Sequence, residues 1–379
     1  MRIKKTIKTA LKRLNDHGYE AYIVGGALRD MLLEKKISDY DITTNAYPNA
    51  IKMIFADYIC YDIGKKHGTV AIIIDSDKID ITPYRSEDNY IDHRHPSEIR
   101  FSNSLKEDLK RRDFTINALC MDINMNIIDY FNGIEDLENK IIKTVGKPQS
   151  RFNEDALRIL RAIRFKTQLN FEIEENTNKQ IHKLKDTLNY ISNERKKEEL
   201  LHILNFRNAF VTINEYIDVF NTFMPFSITK RKYNNFSNPL HALAFLLKDV
   251  ENINLKQLKY SNQEINLIKI LIQASKININ DDYEFINVLS NQYQKDILAF
   301  LNAYHHKNYN ERYNQLKKYI VDINDLQIKG EQIKEYGYDK NEISIVKKHL
   351  LNLIHHQELL NTNKALNNYL KKHRISNIL

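Results

Sequence analysis

In the first third of the chain, apolar and polar residues alternate in short runs that predict β-strands separated by helices. The apolar run at residues 22 to 24 ends at two glycines and precedes a segment with helical spacing, so a strand, a tight turn and a helix are expected. Residues 39 to 42 and 78 to 85 alternate with a period of two, which predicts strands that bury one face. Residues 70 to 74 predict another strand. This part of the chain therefore predicts a mixed α/β unit.

Beyond about residue 145 the strand patterns end and apolar residues recur with helical spacing. The glycine and proline within residues 145 to 149 predict a hinge between the two parts. We expect one continuous helix over residues 151 to 165, another over residues 191 to 204, and further helices that pack as a bundle. The expected fold class is α+β, a mixed β-sheet with helices followed by an all-α remainder. At 379 residues the chain exceeds one ordinary core, so two or more units are expected.

Gly25 and Gly26 follow the first apolar strand and open a helical segment that contains Arg29. Free backbone N–H groups and the positive end of the helix dipole would face phosphate oxygens there, and glycine lets the backbone approach closely. An ordinary tight turn uses the same residues. The turn is thus a candidate phosphate site.

Asp39 and Asp41 are two residues apart, so on a strand both carboxylates project to one face and Tyr40 projects to the other. Such a pair is able to hold one or two Mg²⁺ ions, because magnesium favours a few carboxylates together with substrate phosphates. Asp80, on another predicted strand, is a candidate third carboxylate. Ordinary exposed strand residues are the alternative for all three.

The combination GGxxRD(x8)DxD, which begins at Gly25, resembles the signature of the nucleotidyltransferase superfamily that includes DNA polymerase β. In this spacing it resembles the family of tRNA nucleotidyltransferases and bacterial poly(A) polymerases, and within it the class II, bacterial-type CCA-adding branch. The resemblance implies Asp39, Asp41 and Asp80 as catalytic residues, and Gly25, Gly26 and Arg29 as nucleotide-binding residues. It also implies two Mg²⁺ ions held by Asp39 and Asp41, one lowering the pKa of an RNA 3′-hydroxyl and the other clamping the triphosphate.

Residues 111 to 118, RRDFTINA, resemble the family motif RRDFTxNA, which joins the palm to the nucleotide pocket. By position, Arg112 would contact the incoming nucleotide, Asp113 would orient neighbouring groups and Asn117 would hold the local backbone. A basic helix end that complements the helix dipole is the alternative. Upstream, the Lys-Lys-His of residues 65 to 67 would either approach phosphate or form a solvated hairpin.

Residues 151 to 165 place Asp155, Arg158, Arg161 and Arg164 at helical spacing beside an apolar stripe. They resemble the family motif EDxLRxLRxxRF, which serves as a protein template for nucleotide choice. By resemblance, Asp155 accepts from the exocyclic amine of cytosine or adenine and Arg158 donates to the base, while the other two arginines complete the pocket or meet the triphosphate. Considered alone, Asp–Arg pairs at this spacing are common surface salt bridges.

Residues 194 to 200 resemble the family motif ERxxxEL and lie on the helix predicted over residues 191 to 204. Arg195 with Glu198 or Glu199 would brace the nucleotide pocket. A simple salt-bridged helix face is the alternative.

Composition limits the class of partner and the compartment. The chain carries 57 Lys and Arg against 49 Asp and Glu, a formal net charge of +8, which suits a polyanion without identifying one. Its two cysteines form no CxxC, so neither a zinc site nor a disulfide framework is expected. The sequence shows no signal peptide and no long apolar run, which predicts a cytoplasmic protein with no membrane partner.

Residues 301 to 379 hold 13 Lys and Arg against 8 Asp and Glu, hence a net charge of +5, with interleaved tyrosines. Such a surface would track a phosphate backbone, and a basic bundle face is the alternative. By resemblance it would hold the tRNA elbow while the acceptor end enters the head. The expected domains are a nucleotidyltransferase head (1–145), a neck with the nucleotide-recognition helix (146–205), a helical body (206–300) and a tRNA-binding tail (301–379).

The resemblance implies template-independent transfer of CMP and then AMP, from CTP and ATP, to the 3′ end of tRNA. A partial enzyme that adds only CC is disfavoured, because residues 85 to 96 resemble a loop that CC-only relatives lack. A bacterial poly(A) polymerase is disfavoured by the missing long basic C-terminal extension. A catalytically silent RNA-binding protein would gain nothing from paired carboxylates that face phosphate. The sequence leaves a homodimer open.

Overall fold

The computed structural model describes residues 3–37, 39–63, 68–90 and 96–373. These residues form two compact units. The first comprises Met1–Ile203 and Glu215–Met224, and the second comprises Leu204–Asn214 and Pro225–Leu379.

The first unit is built on a mixed β-sheet. Its strands, within the described residues, are β1 (Ala21–Val24), β2 (Tyr40–Thr44), β3 (Ile59–Ile63), β4 (Thr69–Ile74), β5 (Asp77–Pro83), β6 (Arg85–Tyr90), β7 (Pro96–Phe101), β8 (Leu119–Met121), β9 (Ile127–Asp129), β10 (Ile141–Ile142) and β11 (Glu172–Ile173). Seven of them form one sheet in the order β3-β4-β5-β2-β1-β8-β9. In this sheet β2 lies parallel to β5 and antiparallel to β1. The expected mixed sheet is confirmed.

Helices cover the sheet and form almost all of the regular secondary structure in the described part of the later chain. They are α1 (Lys5–Asp16), α2 (Gly25–Leu32), α3 (Pro48–Ile54), α4 (Leu105–Lys110), α5 (Gly133–Glu138), α6 (Pro148–Glu154), α7 (Leu157–Leu169), α8 (Glu175–Leu184), α9 (Asn193–Leu204), α10 (Ala209–Glu215), α11 (Ile217–Phe223), α12 (Pro239–Leu247), α13 (Asn262–Ala274), α14 (Asp282–Leu289), α15 (Gln294–His305), α16 (Asn310–Leu316), α17 (Gly330–Lys334), α18 (Ile343–His355) and α19 (Asn363–Lys372). Short 3-10 helices add to them in the described part of the chain, at Thr115–Asn117, Lys185–Tyr190, Lys317–Tyr319 and Ile323–Asp325. The α+β fold class is confirmed.

The core of the first unit holds one face of the sheet in place. Ile7 of α1, Ile42 of β2, and Ile79 and Ile81 of β5 are fully buried, whereas Asp80 between the last two is partly exposed. The predicted period of two along β5 is therefore confirmed. Each fully buried isoleucine contributes about 1.5–3 kcal/mol, so a one-residue slip of the register, which would expose this row, is strongly disfavoured.

The prediction of one continuous helix over residues 151 to 165 is wrong. Helix α6 ends at Glu154 and α7 begins at Leu157, with Asp155 extended between them (φ −139°, ψ 103°). The Asp155 carboxylate accepts a hydrogen bond from the Leu157 N–H at 3.0 Å. Aspartate competes in this way with helical hydrogen bonding, which favours a break at this residue.

The expectation that strands end near residue 145 is also corrected in one detail. The two-residue strand β11 lies beyond that point and pairs parallel with β10, Ile142 opposite Ile173. It is too short to leave a readable alternation in the sequence.

The second unit is helical and has a core of its own. One cluster packs Val346, Leu350 and Ile354 of α18 against Leu366 and Leu370 of α19. Helices α12, α13 and α15 also contact one another, so the predicted packing of the later helices is confirmed. No helix in the described ranges combines the length and the apolar character that crossing a bilayer requires.

Candidate active site

Asp41 and Asp80 lie opposite each other on neighbouring strands. The parallel register of β2 and β5 pairs Asp41 with Asp80, and the antiparallel register of β1 and β2 pairs Asp41 with Val24. Residues directly opposite in a sheet point to the same face, so the two carboxylates share one face. Asp39 is exposed and lies just before β2, near enough to Asp41 for its charge to act on that carboxylate.

Asp41 lies in surroundings that disfavour its negative charge. Its surface is open to solvent, but the neighbouring protein atoms remove part of its hydration, and this desolvation raises its pKa. Arg112 opposes the shift, while the charges of Asp80 and Asp39 add to it. A carboxylate in this setting is stabilised by an additional cation.

Asp80 has an oxygen that no hydrogen bond satisfies within the described residues. Its Oδ1 atom is buried and accepts none, although Lys78 Nζ lies 3.1 Å from Oδ1 and donates to Oδ2, also at 3.1 Å. In the same part of the chain no three His, Cys, Asp or Glu side chains form a ready-made metal cluster. Carboxylates beside a buried oxygen that accepts no hydrogen bond suit magnesium, which completes its coordination with water and substrate phosphates.

The glycine turn lies directly beside Asp41 and Arg112. Gly25 has φ +68°, and a Cβ atom at this residue would lie 3.3 Å from Arg112 Nη1 and 3.7 Å from Asp41 Oδ2. Glycine is required here for the left-handed backbone. The structure therefore brings together three residues that the sequence singled out separately: a turn glycine, a guanidinium and a carboxylate.

Arg29 of α2 is buried, with a side chain only 4% exposed. Its Nε donates to Asp30 at 2.8 Å, its Nη1 donates to Asn117 Oδ1 at 2.9 Å, and its guanidinium carbon lies 5.0 Å from the centre of the Phe165 ring. These contacts tie the glycine turn to the RRDFTINA segment and to α7. Contact with a phosphate would require exchange of one of these bonds, and the phosphate role of Arg29 stays a prediction.

Asp108 of α4 is a fully buried carboxylate that sequence reasoning missed. Arg111 Nη2 donates to it at 2.7 Å, Arg112 Nη2 at 3.2 Å and Thr43 Oγ1 at 3.2 Å. Burial favours the neutral acid, but the two arginines outweigh burial and lower the pKa of Asp108. The available signal was the spacing of Asp108 from the two arginines, three and four residues along a helix.

Asp113 orients Arg161 rather than facing solvent. It accepts hydrogen bonds from Arg161 Nε at 2.8 Å and Nη2 at 2.6 Å, from Asn117 Nδ2 at 3.2 Å and from the Phe114 N–H at 2.9 Å. Burial opposes its ionisation, but Arg161 and Asn117 outweigh burial and lower the pKa of Asp113 to about 2. Asp113 is therefore a buried anion that connects the RRDFTINA segment with α7.

Arg161 and Arg164 lie close to the ring of Phe165, with guanidinium carbons 5.4 and 4.3 Å from its centre. Arg164 Nε donates to Glu199 Oε2 at 2.7 Å, and Arg161 Nη1 lies 3.9 Å from Glu199 Oε1. Glu199 on α9 is thus a shared carboxylate partner of Arg161 and Arg164. Burial lowers the pKa of Arg164, and Glu199 opposes this shift.

Arg158 does not pair with Asp155, although the two are three residues apart. Its Nη1 donates to Glu154 Oε2 at 2.6 Å and to the Arg151 carbonyl at 3.1 Å, and its Nη2 donates to the Arg111 carbonyl at 2.9 Å. The simple surface salt bridge between Asp155 and Arg158 is therefore not formed. Arg158 instead joins α6, α7 and the RRDFTINA segment.

Two residues of the ERxxxEL segment form ion pairs with partners outside it. Arg195 Nη2 lies 2.9 Å from Asp155 Oδ2, and Glu199 pairs with Arg164. Arg195 and Glu199 thus each hold a residue of the candidate pocket, and their role as a brace of that pocket stays a prediction. The ion pair between Arg195 and Asp155 joins α9 to the break between α6 and α7.

Two predicted segments fall on residues that the structure leaves undescribed. Residues 65 to 67, the Lys-Lys-His candidates, lie outside the described residues, and so do residues 91 to 95 of the predicted loop. On either side of the latter, β6 and β7 pair as an antiparallel hairpin.

Comparison with known proteins identifies related sequences. Residues 21–143 match the family described as Poly A polymerase head domain, and residues 170–219 match one described as the probable RNA and SrmB-binding site of polymerase A. A CCA-adding enzyme of Staphylococcus epidermidis is 38% identical over 308 residues, covering 79% of this chain and 76% of that protein. A CCA-adding enzyme of Lactobacillus helveticus is 50% identical over 191 residues, 50% of this chain and 47% of that protein.

Solved structures extend the likeness to nearly the whole chain. The Bacillus stearothermophilus CCA-adding enzyme in complex with CTP superposes with a TM-score of 0.82 and 26% identity, over 98% of each chain. The Thermotoga maritima CCA-adding enzyme complexed with tRNA shares the fold, with a TM-score of 0.66 and 21% identity over 98% of this chain and 96% of that one. The family match over residues 21–143, the relative from Staphylococcus epidermidis and the shared fold all agree with a site in which carboxylates lie beside a glycine turn. This chain therefore belongs to the bacterial-type CCA-adding enzymes, which are tRNA nucleotidyltransferases.

Proposed function

We propose that this CCA-adding enzyme transfers CMP from CTP, and then AMP from ATP, to the 3′ end of tRNA where Gly25, Asp41 and Arg112 meet. In each transfer the RNA 3′-oxygen attacks the α-phosphorus, a phosphodiester bond forms and the bond to pyrophosphate breaks. The observation that carries the proposal is the approach of Arg112 Nη1 and Asp41 Oδ2 to within 3.3 and 3.7 Å of the Cβ position of Gly25.

Asp39 and Asp41 are proposed to hold the metal, with Asp80 as the third carboxylate of the site. Two Mg²⁺ ions held there would supply Lewis-acid activation of the RNA 3′-hydroxyl and neutralise charge on the triphosphate. The donor set supports this assignment, because Asp41 and Asp80 lie opposite each other with Asp39 close by, and the buried Oδ1 of Asp80 accepts no hydrogen bond from the described residues. The raised pKa of Asp41 also means that a cation stabilises its charged form.

Backbone and guanidinium groups are proposed to bind the triphosphate. Helix α2 begins at Gly25, so its first N–H groups are free to donate to phosphate oxygens. Arg112 adds a positive charge at the same place, and Asp108 fixes its orientation through Nη2. Arg29 is proposed to bind phosphate once it gives up its hydrogen bond to Asp30 or Asn117.

Asp155 and Arg158 are proposed to select the base. Cytosine and adenine both present an exocyclic amine beside a ring-nitrogen acceptor, whereas uracil and guanine carry a carbonyl in place of that amine. Asp155 would accept from the amine and Arg158 would donate to the ring nitrogen. Arg161 and Arg164, fixed by Asp113 and Glu199, would complete the pocket.

CTP, ATP and tRNA are the proposed substrates. Solved relatives support each of them, since their structures are described as complexes with CTP, with ATP and with tRNA. The basic charge of residues 301 to 379, which carry 13 Lys and Arg against 8 Asp and Glu, supports a contact with the tRNA backbone.

The test is addition of each labelled nucleotide, singly and together, to tRNA that lacks its 3′ CCA. The proposal predicts that CTP alone extends the RNA by two residues, that ATP alone adds nothing to this RNA, and that both together stop at CCA. Repeated addition of ATP alone would indicate a poly(A) polymerase, and arrest after CC in the presence of both would indicate a partial enzyme.

A further inference from the structure

Lys78 completes a group of four charged side chains on the face of the sheet that carries Asp41. The register pairs Asp41 with Asp80 and Tyr40 with Ile79, and its continuation by one residue beyond the start of β2 would bring Asp39 opposite Lys78. Residues two apart on a strand share a face, and neighbouring strands lie about 4.8 Å apart. Three carboxylates and one ammonium group therefore occupy one small patch, which we call the charge quartet (Asp39, Asp41, Lys78 and Asp80).

The contacts of Lys78 bind it to this quartet. Its Nζ lies 3.1 Å from each carboxylate oxygen of Asp80, and the side chain is 46% exposed. Lys78 and Asp80 therefore form a partly exposed ion pair, and Asp41 lies directly opposite Asp80 in the register.

We infer that Lys78 is a built-in counter-cation that competes with a divalent metal ion for Asp80 and weakens metal binding until a nucleotide is present. The inference rests on the proposed metal site at Asp39 and Asp41. A divalent ion near Asp80 would lie close to the ammonium group, and like charges at short range repel. The flexible four-carbon side chain of lysine allows the ammonium to move aside.

The consequence is a coupling between metal and nucleotide. The triphosphate brings negative charge to the charge quartet. Its charge can neutralise the metal ion and Lys78 together, so that the two cations no longer compete for Asp80. Metal and nucleotide should then each tighten the binding of the other, as linkage requires. Without Lys78 the three carboxylates would bind the metal ion even in the absence of nucleotide. The coupling between metal binding and nucleotide binding should then be smaller.

The experiment measures Mn²⁺ binding directly, from the electron paramagnetic resonance signal of free Mn²⁺, with and without CTP. Lys78→Met removes the charge and keeps most of the side chain. In the absence of CTP, we expect Lys78→Met to bind Mn²⁺ about five- to tenfold more tightly than the unmodified protein. In the presence of CTP, the difference in Mn²⁺ affinity between the two proteins should be smaller. Lys78→Arg keeps the charge and should bind like the unmodified protein.

Lys52→Met is the matched control. Lys52 also forms a partly exposed ion pair in the first unit, with Nζ 2.8 Å from Asp62 and a side chain 40% exposed. The substitution changes the net charge by the same amount but lies outside the charge quartet. Unchanged or weaker Mn²⁺ binding in Lys78→Met, or equal tightening in Lys52→Met, would overturn the inference.

Asp41→Asn separates this inference from the proposed function. If Asp41→Asn leaves Mn²⁺ binding unchanged, the metal assignment fails and the role of Lys78 fails with it. If Asp41→Asn weakens binding while Lys78→Met has no effect, the metal site stands and the role of Lys78 alone is refuted.

Discussion

Arg195 and Asp155 form a two-point ion pair, with Nη2 2.9 Å from Oδ2 and Nη1 3.3 Å from Oδ1. Asp155 lies in the break between α6 and α7, and Arg195 lies on α9. The carboxylate also accepts from the N–H of Leu157 at 3.0 Å. A carboxylate held by two separate elements is fixed in direction before a base arrives, which is what selection of an exocyclic amine requires.

Asp155→Ala should weaken discrimination between CTP and UTP. The substitution removes the acceptor proposed for the amine, a loss of about 1.5–3 kcal/mol or roughly 10- to 150-fold in the ratio of specificity constants. The measurement compares kcat/KM for CTP and UTP on tRNA that lacks CCA. An unchanged ratio with lower overall activity would show that Asp155 only shapes the junction between the helices.

Arg195→Met should lower the same ratio by a smaller factor. Asp155 remains in this variant, but one of its two supports is lost and its direction is less defined. Because Arg195 is proposed to act through Asp155, the double variant Arg195→Met/Asp155→Ala should discriminate no worse than Asp155→Ala. Fully additive losses in the double variant would mean that Arg195 contributes by another route.

Asp108→Asn should raise the KM for both nucleotides and destabilise the protein. Arg111 and Arg112 would lose a shared buried counter-ion, and breaking a buried ion pair costs about 3–5 kcal/mol. Urea unfolding and nucleotide titration measure the two effects. Glu107→Gln, on the exposed side of the same helix, is the matched control and should behave like the unmodified protein. Equal KM values in all three proteins would contradict the role assigned to Asp108.

The positions of the strands and the buried face of the sheet were largely predictable from the sequence, because the alternation of apolar and polar residues is a local signal. It also predicted that Asp41 and Gly25 belong to one site, although on separate elements, because the spacing of the motif carries that information by family resemblance. It did not predict the break at Asp155, since the flanking residues all favour a helix. That outcome depends on a hydrogen bond to Leu157 and on Arg195, 40 residues away.

Burial was the second quantity that the sequence left undetermined. Arginine and aspartate are usually exposed, so the sequence gives no sign that Arg29 and Asp108 are buried. Only the packing of α2 and α4 shows it. The partners of Arg158 and Arg195 were likewise set by the packing of helices and not by their spacing along the chain.

Asp113→Asn should destabilise the protein at neutral pH, and this loss of stability should become smaller at strongly acidic pH. The pKa of Asp113 is about 2 in the folded protein, against an ordinary value of 3.8. Its contribution, about 2 kcal/mol, is fully present above the ordinary value and is lost as the pH falls through about 2. The difference in unfolding free energy between the two proteins should therefore be the same at pH 7 and pH 5.

Urea unfolding at pH 7, 5 and 3.5 measures this difference. Asp16→Asn, at an exposed residue of α1, controls for the change in net charge. A difference that disappears already between pH 7 and pH 5 would contradict the assignment of a low pKa to Asp113.

Asp39 and Asp41 are the residues proposed to carry the chemistry of CCA addition. The most direct measurement is single-turnover addition of CMP to tRNA lacking CCA, at saturating Mg²⁺, together with tRNA affinity for the same proteins. Asp39→Ala and Asp41→Ala should each lose nucleotide addition while binding tRNA nearly normally. Asp77→Ala, at a partly exposed carboxylate of the same sheet that pairs with Lys4, should retain both. Near-normal addition by Asp39→Ala or Asp41→Ala would contradict the account.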